Sequence, residues 1–322
     1  MLRWLGWGER PVIVPPAQLT TTRKSFPTGI KLLFNGEDSI VDIIFIHGLT
    51  GHREKTWTAK SAAQPWPQTL LPLELPHTRI LTFGYDAYVT DWKGVVSQNR
   101  IADHAMNLSA ALTAYRGKDN TESRPIIFVY HSLSRLVYED ALVTADRRPE
   151  PHLKNILKLT RGILFLGTPH QGSNLTIWAE ILAISIGILK QTNSEIIQVL
   201  KTESEVLARV QDSFHTMIIA RAASGHEAIQ ITCFYEELPL PGLGMVMPKH
   251  SAIIPGYIPV RIRSNHMDMT KFKDADDFGF TVITRELRRW IKQSTVLKGT
   301  ETLSTSVTQP SQAKQQDTAH CT

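Results

Sequence analysis

Pro125–Leu136 reads PIIFVYHSLSRL. Pro125–Val129 is rich in β-branched and aromatic residues and reads as a buried strand. Leu133, Leu136, Val137 and Ala141 then fall on one face of a helix. Ser132 sits at the join. A serine on such a tight turn is lifted out of the sheet at the carboxyl end of a strand, where open α/β sheets bind their ligands. The helix N-terminus behind it offers free N–H groups and a partial positive charge. Both suit the developing oxyanion of an acyl-transfer step.

Around this junction, strand and helix patterns alternate. Ile30–Phe34, Val41–Ile46, Arg79–Phe83, Gly162–Leu166, Ile229–Tyr235 and Pro259–Ile262 read as strands. Between them, Trp66–Leu75 reads as a helix. Ile101, Ala105, Leu108, Leu112 and Tyr115 step by four and three, as an amphipathic helix does. Phe280, Ile283, Leu287, Trp290 and Ile291 mark a closing helix. This alternation predicts a mostly parallel sheet with helices on both faces. A helical stretch at about 174–224 contains no strand and reads as a lid insertion. The boundaries that follow are an N-terminal extension over 1–27, one domain over 28–292, and a Ser-, Thr- and Gln-rich tail over 293–322 expected to be flexible.

Serine is a weak nucleophile and needs a base within hydrogen-bond reach, which in turn needs an orienting acid. His266 follows the last strand, in Ser264-Asn265-His266-Met267-Asp268. Glu236 ends the strand before it, with Glu237 as the neighbouring alternative. Side chains alternate along a strand, so one of the two should face His266. His47-Gly48-Leu49-Thr50-Gly51 follows an early strand and fits an oxyanion loop, with the backbone N–H groups of Leu49 and Leu133 as the expected donors. His47 is expected to brace that loop. His131 is read as structural, and Gly48, Tyr130, Arg135, His170 and Trp178 as candidate pocket residues. Asp86 could rival Glu236, but it precedes Ser132.

IIFIHGLTGHREKTWTA, RILTFGYDA, YHSLSRLV, FLGTPHQGS, FYEELP and NHMDMTKF follow one another in this chain. Together they resemble the lipase-like serine esterases of the α/β-hydrolase fold, a group that includes the serine active site-containing proteins, the GPI inositol-deacylase-like proteins and the hydrolase domains of fungal NLR-type proteins. The resemblance spans roughly residues 28 to 291. It implies an α/β-hydrolase fold and a Ser-acid-His triad at Ser132, Glu236 and His266, acting on lipid or ester substrates.

The family's elbow reads Gly-His-Ser-Leu-Gly-Gly, whereas Tyr130, Ser134 and Arg135 stand at its three glycine positions here. Ser134 is small enough to fit. Tyr130 must turn outward or reshape the elbow. Arg135 puts a cation in the first turn of a helix, unfavourable by about 0.3–1 kcal/mol, so a compensating anion or a functional use is expected. The elbow therefore leaves two further readings open beside ester hydrolysis. One is a non-hydrolytic biosynthetic step such as cyclisation or acyl transfer; the other is a binding domain without catalysis.

Composition narrows the remaining classes. The 322 residues are 42% hydrophobic and 20% charged, an ordinary globular balance. The net charge of +5 comes without a Lys/Arg run of nucleic-acid type. A small acyl or lipid-like substrate is therefore expected rather than a nucleic acid, with peripheral membrane contact allowed. No zinc spacing is visible and no cofactor is expected. No apolar stretch approaches the roughly 20 residues that span a bilayer. Cys233 and Cys321 are the two cysteines and are not expected to pair. An intracellular setting follows, cytoplasmic by default, with mitochondrial or membrane-peripheral placement as the alternatives.

Overall fold

The computed structural model describes residues 27–48, 51–85, 98–132, 134–170, 194–242, 244–247 and 249–306. The strands are β1 (Gly29–Asn35), β2 (Val41–Ile46), β3 (Thr78–Gly84), β4 (Ile126–His131), β5 (Thr160–Leu166), β6 (Gln230–Glu236) and β7 (Ile258–Ile262). They form one sheet in the order β1-β3-β2-β4-β5-β6-β7. β1 pairs antiparallel with β3, and every other pairing is parallel. The strand that leads to Ser132 is thus central, and its carboxyl end lies beside those of β2 and β5.

Alternation along β4 divides two cores. Ile126, Phe128 and Tyr130 face one side, while Ile127 and Val129 face the other. The first side is covered by α3 (Gln98–Lys118), α4 (Ser134–Arg147), α5 (Pro151–Leu159) and α6 (Ser194–Ala223), through residues such as Leu112, Tyr138, Ile156 and Phe214. The second is covered by the two short helices α1 (Trp66–Thr69) and α2 (Leu71–Glu74) and by α7 (Phe278–Ser306). Trp66 anchors that side. Its ring meets Phe45 at 5.3 Å and Phe272 at 5.1 Å, and its indole N–H donates to the Thr270 carbonyl at 2.8 Å. Tryptophan buries well only when its N–H finds such a partner.

Three elements differ from expectation. The helix expected over Trp66–Leu75 is divided in two at Leu70, because Pro72 has no N–H to continue the ladder and sits instead in the first turn of α2. α5 was not anticipated. Pro151 opens it, a position where proline is pre-set for a helix. The closing helix runs on to Ser306, past the tail boundary placed at residue 293. Of the expected lid, 194–223 is the helix α6, while 171–193 lie outside the described residues. Among the described residues, no helix is long and apolar enough to cross a membrane.

Candidate active site

Three non-glycine residues have positive φ among those described: Asp38, Asn120 and Ser132, the last at 59°. Asp and Asn tolerate this region through their short polar side chains; serine has less excuse. Such strain costs on the order of 1–3 kcal/mol and persists only where the surroundings impose it. At Ser132 they do. Its N–H donates to the Leu166 carbonyl at 3.0 Å, tying the turn to the end of β5. Gly48 closes over its side chain so tightly that a Cβ there would stand 2.9 Å from the Ser132 Cβ. Any side chain at position 48 would therefore displace Ser132.

The elbow accommodates its three departures one by one. Ser134 is buried and donates to the His131 carbonyl at 2.8 Å. Tyr130 was a candidate for the pocket; the structure turns it the other way. It is 0% exposed, its ring 4.3 Å from Tyr138 and 5.6 Å from Phe128 in the core beneath α4. Strand alternation sends residue 130 to that face. Arg135 is also buried, and the compensating anion is Glu139, one turn along α4, with Nη1 to Oε1 at 3.3 Å. Nη1 also donates to Nδ1 of His170 at 3.1 Å, and Nη2 donates to Gln211 of α6 at 3.4 Å. Burial lifts the Glu139 carboxyl to about 7 despite the facing arginine.

His266 and Glu236 meet. The imidazole Nδ1 lies 3.4 Å from Oε2 of Glu236, and both side chains are sealed from solvent. The other carboxylate oxygen of Glu236 accepts the Met247 backbone N–H. Glu237 faces outward at 37% side-chain exposure, beside Arg261. The alternation argument could say that one glutamate would face the histidine, and the structure turns Glu236 to it. Gly167, at φ 57°, packs its Cα against the His266 ring; a Cβ there would lie 2.9 Å from both Cε1 and Nδ1. Leu166 and Gly167 therefore support both halves of the site, the serine through a backbone bond and the histidine through contact.

Two other histidines frame this centre. His47 stacks on Tyr85 at 4.5 Å, and its Nδ1–H donates to the Gly48 carbonyl at 2.8 Å. Burial pushes its pKa down to about 4, so it braces the loop as a neutral ring. His131 sits 3.1 Å from the His266 carbonyl oxygen through Nε2. Its sequence offered no sign of this contact, because the partner is a backbone atom. Leu49, Leu133, Trp178 and Asp86 lie outside the described residues. Cys233 is a free, buried thiol, 3.7 Å from Nε2 of His170, and burial raises its pKa to about 12. Among the described residues, no three His, Cys, Asp or Glu side chains are grouped to hold a metal. Two concavities, of about 340 Å3 beside Arg124 and about 460 Å3 beside Trp290, lie at the other end of the sheet from Ser132.

This strand order, with one antiparallel edge strand and a strained serine after the central strand, decides the architecture. The chain has the α/β-hydrolase fold. No protein-family model matches it. Among curated proteins it is 30% identical over 285 residues to Protein SERAC1 of Homo sapiens, covering 80% of this chain and 41% of that one. It is 30% identical over 260 residues to Protein SERAC1 of Bos taurus, covering 74% and 37%. The α/β-hydrolase chain thus spans about two fifths of the length of these relatives. Solved structures similar to it include the surfactin thioesterase domain SrfTE, at 12% identity and TM-score 0.38, covering 79% of this chain and 94% of that one. The enol-lactonase from Burkholderia xenovorans LB400 is 14% identical with TM-score 0.38, covering 82% and 95%.

Proposed function

We propose that the protein is a serine hydrolase acting on ester or other acyl substrates, with Ser132 as nucleophile, His266 as general base and Glu236 as the orienting acid. The observation that carries this reading is Ser132 itself, held at φ 59° at the end of β4, one residue after His131, whose Nε2 lies 3.1 Å from the backbone carbonyl of the His266 that faces Glu236. A serine placed this way exposes its hydroxyl above the sheet, where a base can take its proton as it attacks a carbonyl. Glu236 would hold the imidazole in one orientation and stabilise the imidazolium as it forms. The acid is itself anchored by the Met247 N–H, so its second oxygen is committed. Backbone N–H groups of Leu49 and Leu133 would receive the oxyanion. His47 keeps the first of these loops in place through its bond to Gly48.

Read from sequence alone, the departures from the glycine elbow left a non-hydrolytic step and a binding domain open beside hydrolysis. Their burial favours hydrolysis instead. Tyr130 packs into the core, Ser134 caps the turn, and Arg135 is matched by Glu139. A small acyl or lipid-like molecule is the substrate class we propose.

The test is turnover on a panel of p-nitrophenyl acyl esters and acyl thioesters. Hydrolysis by the wild type, lost in Ser132→Ala and in His266→Gln, is the expected result. Hydrolysis that persists in Ser132→Ala would refute the assignment.

A further inference from the structure

The loop that carries His266 holds its own shape. Asn265 Oδ1 accepts the N–H groups of Met267 and Asp268, each at 3.0 Å, and the Asn265 carbonyl accepts that of Met269 at 3.0 Å. Burial would raise the Asp268 carboxyl, but hydrogen bonds from Lys271 and Asn265 outweigh it and hold Asp268 below its ordinary range. These bonds fix the turn without fixing where it stands relative to Ser132. Contacts from outside the loop share that task, and one of them comes from the strand that leads to Ser132. His131 is the last residue of β4, one before the serine, and its register is set by pairing with Leu166. Its Nε2 lies 3.1 Å from the His266 backbone carbonyl, and the two rings are 5.1 Å apart.

We propose that His131 is a positioning residue: its Nε2–H, donated to the His266 carbonyl, sets the base relative to the serine that follows it. The assignment rests on Ser132 and His266 acting together as proposed above. The serine and the histidine come from strands separated by β5 and β6 in the sheet, so small shifts of the loop would change their separation directly. A displacement of about 1 Å at such a pair can cost on the order of 10²-fold in rate. The bond from His131 joins the strand that presents the nucleophile to the residue that deprotonates it. Burial keeps the His131 ring neutral, so one ring nitrogen carries a proton and the other does not. The hydrogen bond to a carbonyl assigns that proton to Nε2.

Met and Gln are close in shape but differ in hydrogen bonding. Gln carries an N–H donor at about the reach of the imidazole Nε2, and Met carries none. In His131→Met, kcat on the best ester of the panel should fall about 10- to 100-fold with KM little changed. His131→Gln should recover most of that loss. The His266 ring signal in histidine-labelled NMR spectra, assigned with His266→Gln, should move in His131→Met and return in His131→Gln. Equal activity in His131→Met and wild type, or an equal loss in both variants, overturns the positioning role. If Ser132→Ala and His266→Gln abolish turnover while His131→Met does not, this proposal alone falls. If Ser132→Ala keeps full turnover, the proposed function falls and takes this role with it. Should His131→Met not fold, the same comparison is made between His131→Phe and His131→Gln.

Discussion

Gly167 leaves the proposed base almost no room. Its φ of 57° disfavours any L side chain, and a Cβ would stand 2.9 Å from the His266 ring and 2.8 Å from the Met269 sulfur. Gly167→Ala should therefore cost about 1–3 kcal/mol in urea unfolding and, by moving His266, lower kcat about tenfold or more. The glutamates give a sharper contrast. Glu236→Gln should lower kcat by on the order of 10²–10⁴ on the same esters, the usual range for a general acid–base assembly. Glu237→Gln, at an exposed pair with Arg261, should leave kcat nearly unchanged. Ser132, Glu236 and His266 were legible as candidates because each ends or follows a recognisable strand, and their chain order suits the fold. Which glutamate faces the base was not, because it depends on the phase of β6 rather than on its existence. The contact of His131 was not legible either. A carbonyl acceptor leaves no mark on the residue type that provides it.

α4 begins at Ser134, two residues after Ser132, and carries a buried ion pair in its first turns. Arg135 and Glu139 are both closed off from solvent, and Arg135 also reaches His170 and Gln211, so the pair joins the elbow helix to α6. Breaking a buried pair by removing one partner leaves the other charge uncompensated. Arg135→Met should thus destabilise the fold by about 3–5 kcal/mol, and Arg135→Met combined with Glu139→Leu should destabilise it less than the single change. Urea midpoints of the two single variants and the double variant measure this. The need for an anion beside Arg135 was readable from the helix dipole. Its identity was not, because other acids stood nearby. Proline misled in both directions at this scale: Pro72 divided an expected helix, and Pro151 started an unexpected one. Both follow from the missing N–H, which is harmless in a first turn and disruptive beyond it.

Among the described residues, burial is the leading cause that lowers the pKa of His47, His131 and His170 and keeps them neutral. Their folded pKa values lie below the ordinary 6.5, so below that pH the unfolded chain binds protons that the folded one refuses, and stability falls as pH falls. Glu139 acts in the opposite sense. Its folded pKa is raised from 4.5 to about 7, so its contribution declines as pH rises through that window. His52 and His215, also lowered by burial, add to the histidine side, and Asp140, raised by burial, adds to the other, so the histidines leave stability falling as pH drops below about 6. Urea midpoints should drop steeply between pH 6 and pH 5, and Glu139→Gln should make that drop steeper. The mostly parallel sheet that frames these residues followed from the alternation of strands and helices, while the strand order and the reversed direction of β1 did not, because the β1 and β3 patterns read the same either way. The central claim concerns Ser132, and its most direct test is mass-spectrometric mapping of a fluorophosphonate adduct on the folded protein. The account predicts an adduct on Ser132 that forms in the wild type and much more slowly in His266→Gln. A folded protein that hydrolyses an ester yet takes no adduct at Ser132 would contradict it.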